Sequence, residues 1–187
     1  MSTLFDDIVA RGRKTVVRRK RLEDAPDEYR WRSDPHLAEF DASRPVLIPF
    51  ENYERNWSFD FRFTDMPTRS FAIEDANGRH IGNVMYYNVD EARGEAEIGI
   101  SIGEPGCWAL GYGTDALRAL IKELFGAGKL RRLYLHTLDW NARAQRSFEK
   151  AGFRECSTSW RDGKTFVVME LWRDSVARRD ALKTASV

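Results

Sequence analysis

A glycine-rich segment directly before a predicted helix is the first place where the residue types of this sequence suggest binding chemistry. Gly111 and Gly113 carry no β-carbon, so the backbone there can approach a ligand closely. The helix that we predict from Thr114 onward has free N–H groups and a positive dipole end, which suit a pyrophosphate. The segment lacks the third glycine of a dinucleotide fingerprint and the Gly-Lys-Ser/Thr of a Walker loop. An isolated Gly-x-Gly turn also caps helices, so both interpretations stay open.

A second helix and the strand before the glycines supply further candidate residues. Asn141 is a residue type that caps helix N-termini, and we predict a helix over residues 142–151 that Gly152 ends. Residues 95–102 alternate strictly, with Ala and Ile on one face. Glu97 lies on the opposite, polar face together with Gly99, so a carboxylate stands beside a position that has no side chain.

The elements that must position these residues follow from periodicity and turn signals. We predict strands at residues 14–22, 70–74, 81–89, 95–102 and 133–138 and on both sides of the Asp162-Gly163 turn. We predict helices through Tyr29, Trp31 and Leu37, over 52–61, from Thr114 to Gly126 and over 142–151. This order of elements implies an α+β or α/β fold around a mixed sheet.

Composition indicates one globular domain. The chain has 187 residues, of which 42% are hydrophobic and 32% charged, so it can bury a core of ordinary size. The net charge of +1 gives no reason to expect nucleic acid or an anionic membrane as the main partner. A basic run at residues 11–21 is either a solvated flank of the first strand or a phosphate-binding arm. No aromatic residues are interleaved there to stack on bases, which favours the solvated flank.

The sequence contains no pattern typical of a metal site or a membrane segment. Cys107 and Cys156 are not part of a CxxC pair, and the three histidines are scattered. No apolar run approaches the roughly 20 residues that span a bilayer. Residues 1–10 lack the apolar stretch of a signal peptide. We therefore expect a cytoplasmic protein with reduced thiols.

Two motifs, in this order and at this separation, resemble the signatures of one enzyme family. Residues 108–117, Trp-Ala-Leu-Gly-Tyr-Gly-Thr-Asp-Ala-Leu, resemble the acetyl-coenzyme A pyrophosphate loop of the GNAT acetyltransferase superfamily. Residues 141–153 resemble its second signature, an Asn-led helix that ends in Glu-Lys-x-Gly-Phe. Within the superfamily, the branch that the chain resembles is that of RimJ and RimL, the ribosomal-protein N-terminal acetyltransferases. The resemblance implies a mixed, mostly antiparallel sheet of about seven strands flanked by about four helices.

The resemblance implies transfer of acetyl from the cosubstrate acetyl-coenzyme A to an amine, by direct attack in a ternary complex. The acceptor could be a protein N-terminus, a polyamine, a drug or a small metabolite. Strand backbone groups would pair with the pantetheine arm, and loop amides would hold the pyrophosphate. The residues assigned to the cosubstrate are Ile100, Ser101, Ile102, Trp108, Ala109, Leu110, Gly111, Tyr112, Gly113, Thr114, Asn141 and Ser147.

A protonated amine cannot attack a thioester, so the reaction needs a group that takes a proton. Glu97 is the first candidate, because it lies on the polar face of the strand that should hold the acetyl arm. The alternative is an ordinary solvated strand residue. His136, in the strand that leads to Asn141, is the second candidate, with a partly buried, hydrogen-bonded histidine as the alternative.

The sequence departs from the family pattern at two positions. Leu110 stands where the loop usually has Lys, Arg or Gln, and Phe148 stands where many members have a tyrosine that protonates the leaving thiolate. Ser147 is adjacent but should project about 100° away around the helix. Either water or another residue would then protonate the thiolate. The departure leaves an acyl-coenzyme A sensor with weak catalysis as the alternative function, and the basic run leaves a phosphate- or RNA-binding module.

We divide the chain into a basic arm at residues 1–13, a single acetyltransferase domain at 14–172 and a tail at 173–187. The expected partner is a small-molecule or peptide amine, and a homodimer is an assembly that the sequence allows.

Overall fold

The computed structural model describes residues 7–60 and 69–177, and within these ranges the chain forms one eight-stranded sheet, five α-helices and a further helical segment at residues 173–177. The strands are β1 (Ile8–Arg11), β2 (Val16–Arg19), β3 (Arg69–Glu74), β4 (His80–Asp90), β5 (Glu95–Ile102), β6 (Arg132–Leu138), β7 (Arg154–Arg161) and β8 (Lys164–Trp172). The helices are α1 (Ala25–Ser33), α2 (Pro35–Phe40), α3 (Phe50–Asp60), α4 (Tyr112–Gly126) and α5 (Ala142–Ala151). The predicted α/β fold around a mixed, mostly antiparallel sheet is confirmed.

The sheet has the strand order β1-β2-β3-β4-β5-β6-β8-β7, and its neighbouring strands are antiparallel except for β5 and β6. Helix α4 makes the crossover that a parallel pair requires. The parallel pairing is short: it runs from Glu95 opposite Arg132 to Glu97 opposite Tyr134. Both strands continue beyond this point, so they diverge and leave a gap within the sheet.

The core lies between the sheet and helices α4 and α5. In α4 the apolar residues predicted at helical spacing are buried: Leu117, Leu120 and Ile121 are each at most 4% exposed. Burying one such side chain contributes about 1.5–3 kcal/mol. On the sheet, Ile98 of β5 and Leu133 of β6 face the same core, which anchors the two strands just before they diverge.

The N-terminal part of the sheet differs from the prediction. Instead of one strand over 14–22 there are two, β1 and β2, joined by a turn in which the Gly12 N–H donates to the Thr15 carbonyl at 2.8 Å. This hairpin gives the sheet one strand more than predicted. Residues 8–11, within the predicted basic arm, form β1, so the division of the chain at residue 13 does not follow a break in the sheet. The turn is stabilised by a distant residue, Asp115, which no local pattern indicates.

Helix boundaries follow the predictions with local shifts. Helix α4 begins at Tyr112, two residues earlier than predicted, because Gly111 adopts φ +88° and turns the chain into the helix there. Helix α3 covers most of the predicted 52–61, and Phe61 lies outside the described residues. Of the predicted tail, residues 173–177 are helical and the rest also lies outside. Among the described helices, none combines the length and apolar character needed to cross a membrane.

Candidate active site

A cleft of about 1370 Å³ opens where β5 and β6 diverge. Its walls include the ends of both strands, the loop before α4 and the N-terminal half of α5. All the residues predicted to bind the cosubstrate line this cleft, apart from Leu110. The Leu110 side chain is 54% exposed and belongs to the outer surface of the loop.

The loop before α4 presents its backbone to the cleft. The first α-helical hydrogen bond joins the Asp115 N–H to the Gly111 carbonyl at 3.0 Å. The N–H groups of the three residues between them therefore have no acceptor within the helix. They stand at the positive end of the helix dipole, which favours an anion. Trp108 braces the loop, since its indole N–H donates to the Ile102 carbonyl at 2.7 Å.

Helix α5 contributes its cap and one hydroxyl. Asn141 is 7% exposed, and its Oδ1 accepts from the Ala144 N–H at 3.2 Å, which confirms the predicted N-cap. The hydroxyls of Ser147 and Thr114 lie 2.9 Å apart and join α5 to the first turn of α4. Phe148 is 5% exposed and belongs to the core, so its ring offers the cleft no phenol.

The two predicted catalytic residues lie side by side. Glu97 Oε1 and His136 Nδ1 are 2.8 Å apart, and Glu97 is only 6% exposed, so it is not an ordinary solvated strand residue. An ionised carboxylate only accepts hydrogen bonds, so Nδ1–H of His136 donates to it, which leaves Nε2 as the unprotonated nitrogen of the neutral ring. His136 lines the main cleft, whereas Glu97 lines a smaller pocket of about 440 Å³ that shares His136 with it.

The second oxygen of Glu97 is held by a residue that the sequence reasoning missed. The Asn88 side-chain N–H₂ donates to Glu97 Oε2 at 2.9 Å. Asn88 has φ +49° and lies where the β4–β5 register shifts. Such bulges re-aim side chains, and asparagine tolerates this backbone conformation. An Asn near a predicted strand end is thus the one local signal that could have indicated this contact.

Tyr87 also borders Glu97. Burial raises the pKa of Tyr87, and the charge of Glu97 together with a hydrogen bond to it raises that pKa further. The phenol therefore stays protonated at neutral pH and does not act as a base. A β-carbon built on Gly99 would lie 3.6 Å from the Tyr87 ring and 3.4 Å from Met85, so these two side chains bound the space beside Gly99.

Two further residues that line the cleft, Asp41 and Asn83, present oxygen atoms that accept hydrogen bonds. Asp41 is an exposed residue that lines the cleft, and desolvation by the surrounding protein raises its pKa to about 6. The Ser101 hydroxyl donates to Asp41 at 3.5 Å. Asn83, paired with Ser101 in the register of β4 and β5, is 7% exposed, and its Oδ1 has no hydrogen-bond partner. These groups fit a ligand that donates hydrogen bonds.

Arg143 covers the loop in a way that the sequence did not indicate. Its guanidinium carbon lies 3.6 Å from the centre of the Trp108 ring and 4.7 Å from that of Phe40. Burial lowers the pKa of Arg143. The stack links α2, α5 and the loop. In the described ranges, no group of three or more His, Cys, Asp or Glu side chains could hold a metal ion.

Comparison with known proteins gives one family and one fold. The family of the acetyltransferase (GNAT) domain matches residues 14–154. A spermidine N-acetyltransferase from Vibrio cholerae in complex with CoA and spermine is 20% identical and superposes with a TM-score of 0.74 over 86% of this chain and 96% of that one. An aminoglycoside acetyltransferase in complex with coenzyme A is 21% identical, with a TM-score of 0.72 over 88% and 98%. A GNAT family acetyltransferase from Bacillus anthracis is 16% identical, with a TM-score of 0.73 over 88% and 98%. At these identities the structural likeness establishes the fold.

Proposed function

The chain belongs to the GNAT acetyltransferase family, and from this premise we propose that it transfers acetyl from acetyl-coenzyme A to a primary amine by direct attack in a ternary complex. The observation that carries the proposal is the continuity of the cleft. One end has the free N–H groups of the loop before α4, and the other end has His136, backed by Glu97. A long cosubstrate can thus bind at the loop and place its thioester near a proton acceptor.

The backbone of β5 supplies the binding surface for the pantetheine arm. Because β6 does not pair with β5 beyond Glu97, the edge of β5 at residues 100–102 has no neighbouring strand there and lines the cleft, with the Ile102 carbonyl already accepting from the Trp108 indole. Extended ligands add to such strand edges through main-chain hydrogen bonds. The Asn141 Oδ1 accepts the capping bond, and its N–H₂ group remains to donate to the ligand.

The Glu97–His136 pair accepts the proton in this mechanism. His136 Nε2 takes a proton from the acceptor ammonium, the neutral nitrogen then attacks the acetyl carbonyl carbon to form a C–N bond, and this nitrogen loses its second excess proton to water. Glu97 holds the ring through Nδ1 and stabilises the imidazolium that results, as the third member of a hydrolase triad does. The C–S bond then breaks and releases the thiolate. The pair refines the sequence-based assignment, since the carboxylate acts through the imidazole.

The leaving thiolate needs no tyrosine. Phe148 is buried, and the Ser147 hydroxyl is bonded to Thr114. A free thiol has a pKa of about 8.5, so the thiolate is a fair leaving group, and we propose that water protonates it.

A cationic amine suits the acceptor side of the cleft. The Asp41 carboxylate and the unpartnered Asn83 Oδ1 accept hydrogen bonds and donate none from those atoms. An ammonium group has three donors and a positive charge, and so it complements both. Polyamines and aminoglycosides carry several such groups, whereas a protein N-terminus carries one. The likeness to the RimJ and RimL branch keeps the N-terminus among the acceptors to be tested.

The deciding experiment is acetyl-coenzyme A turnover against a panel of polyamines, aminoglycosides, amino acids and N-terminal peptides, read as release of free thiol. We expect one cationic amine to stand out, with kcat/KM at least about tenfold above the rest. Tight coenzyme A binding without turnover on any amine would contradict catalysis and support the sensor, the alternative that the buried Phe148 favours.

A further inference from the structure

The turn between β1 and β2, residues 12–15, lies directly on the first turn of α4. Asp115 accepts four hydrogen bonds from it: from the N–H groups of Arg13 at 3.0 Å, Lys14 at 2.8 Å and Thr15 at 3.0 Å, and from the Thr15 hydroxyl at 2.8 Å. Burial alone would raise the pKa of Asp115, but these hydrogen bonds outweigh it and hold the pKa below its usual value. The carboxylate therefore fastens the hairpin to the helix.

Gly12 packs so closely against the Asp115 carboxylate that this position has no space for a side chain. A β-carbon on Gly12 would lie 2.0 Å from the Asp115 carboxylate oxygen Oδ2. Any side chain at this position would push the turn away from the helix, because real contacts are far longer. The place of Lys14, two residues after Gly12, is thus set by this packing and by the hydrogen bonds that its own N–H and its neighbours Arg13 and Thr15 donate to Asp115.

Lys14 reaches from this turn to the loop before α4. Its Nζ donates to the Leu110 carbonyl at 2.9 Å and lies 5.8 Å from the centre of the Tyr112 ring. An ammonium has three N–H donors, so two remain for a ligand. Lys14 also lines the cleft beside Gly111, whose β-carbon position is 4.0 Å from Nζ.

The residues of the loop carry no positive charge of their own, although Arg143 lies over Trp108 and other cationic side chains line the cleft. The side chains of residues 108–113 are Trp, Ala, Leu, Gly, Tyr and Gly, so none of them is cationic. Asp115 adds a negative charge within the first turn of α4, where a bound pyrophosphate would be repelled. The four hydrogen-bond donors of the hairpin offset this charge. Their bonds to Asp115 also place Lys14 next to the loop.

We propose that Lys14 binds the pyrophosphate of coenzyme A and supplies, from the β1–β2 turn, the positive charge that the loop itself lacks. This inference rests on the proposed function, because it takes the loop as the pyrophosphate site. Asp115 is the positioning residue: it touches no phosphate and acts by holding the turn.

Calorimetric titration with two probes tests the assignment. For Lys14→Ala we expect the dissociation constants of coenzyme A and of dephospho-coenzyme A, which keeps the pyrophosphate but lacks the 3′-phosphate, to rise by about tenfold each. Lys14→Arg should restore most of the affinity. Asp115→Ala also removes the charge that repels a pyrophosphate, and we still expect it to weaken both probes although Lys14 is intact, because the released turn no longer holds Lys14 at the loop. Lys122→Ala removes the same charge from an exposed site on α4 and should leave both constants unchanged.

The outcomes separate this inference from the proposed function. A wild-type protein that fails to bind coenzyme A would overturn the proposed function itself. Wild-type binding with unchanged constants in a folded Lys14→Ala protein would overturn only the role of Lys14. A loss confined to coenzyme A, with dephospho-coenzyme A unaffected, would move Lys14 to the 3′-phosphate and so refute the pyrophosphate contact.

Discussion

Replacing Glu97 with Gln removes one negative charge from the Glu97–His136 pair and keeps the shape of the side chain. The remaining amide oxygen can still accept from His136 Nδ1–H. The new amide N–H₂ then faces Asn88, whose side-chain amide can turn to offer its oxygen instead. No buried group loses its partner, so we expect the variant to fold.

The expected loss of rate arises because the variant lacks the carboxylate charge that stabilises the His136 imidazolium. Two unit charges 4 Å apart interact with about 4 kcal/mol at an effective dielectric constant of about 20. The side chains of His136 and Glu97 are 22% and 8% exposed, so water screens part of this interaction. A remaining ~2.7 kcal/mol corresponds to a fall in kcat of about 10²-fold, which lies within the range of general acid–base catalysis. The affinity for acetyl-coenzyme A should stay the same, because Glu97 does not line the main cleft.

The assay is thiol release at saturating acetyl-coenzyme A between pH 6 and 9, with circular dichroism to verify the fold. The defect should shrink as the pH rises, because more of the acceptor amine is already neutral. Glu95→Gln is the matched control: it makes the same change on the same strand, where the carboxylate binds Arg132 at 2.7 Å, and should keep kcat. If folded Glu97→Gln turns over at the wild-type rate across this pH range, Glu97 has no part in the proton transfer.

Three further substitutions probe the cleft. A β-carbon at Gly113 would meet its protein neighbours at 3.6–3.7 Å, an ordinary contact, so Gly113→Val should fold but lose at least about tenfold in coenzyme A affinity. The control, Gly126→Val, lies in open space on the same helix and should keep the wild-type affinity. If calorimetry gives Gly113→Val the wild-type affinity for coenzyme A, the close approach of the ligand to Gly113 is disproved. Ser147→Ala should keep turnover within about threefold, and a loss of about 10² or more would make its hydroxyl the general acid. The pKa of Asp41 is raised to about 6, so the carboxylate is neutral below that pH and charged above it. Binding of a cationic acceptor should therefore strengthen from pH 5 to 7, and Asp41→Asn should abolish this dependence; a variant with the wild-type pH profile would exclude the ion pair.

Local sequence patterns were sufficient for the parts of the site that depend on neighbours in the chain. Gly111 and Gly113 predicted a backbone loop at a helix N-terminus, and the loop and helix are there, with a start two residues earlier. Asn141 predicted a cap, and its Oδ1 makes the capping bond. The alternation over residues 95–102 predicted a strand with Glu97 on its polar face. These features require only the residue types and the period of one element.

Tertiary structure decided which of these elements meet. The alternation left Glu97 as a solvated residue or a base, and burial beside His136, 39 positions away, came from the parallel pairing of β5 with β6. The gap that forms the cleft exists because this pairing stops, which no residue type in either strand signals. Likewise the basic run contained Lys14, but only the bond from its N–H to Asp115, 101 positions away, brings its charge to the loop. Contacts across such separations depend on how the whole sheet is assembled, and a local pattern carries no information about that.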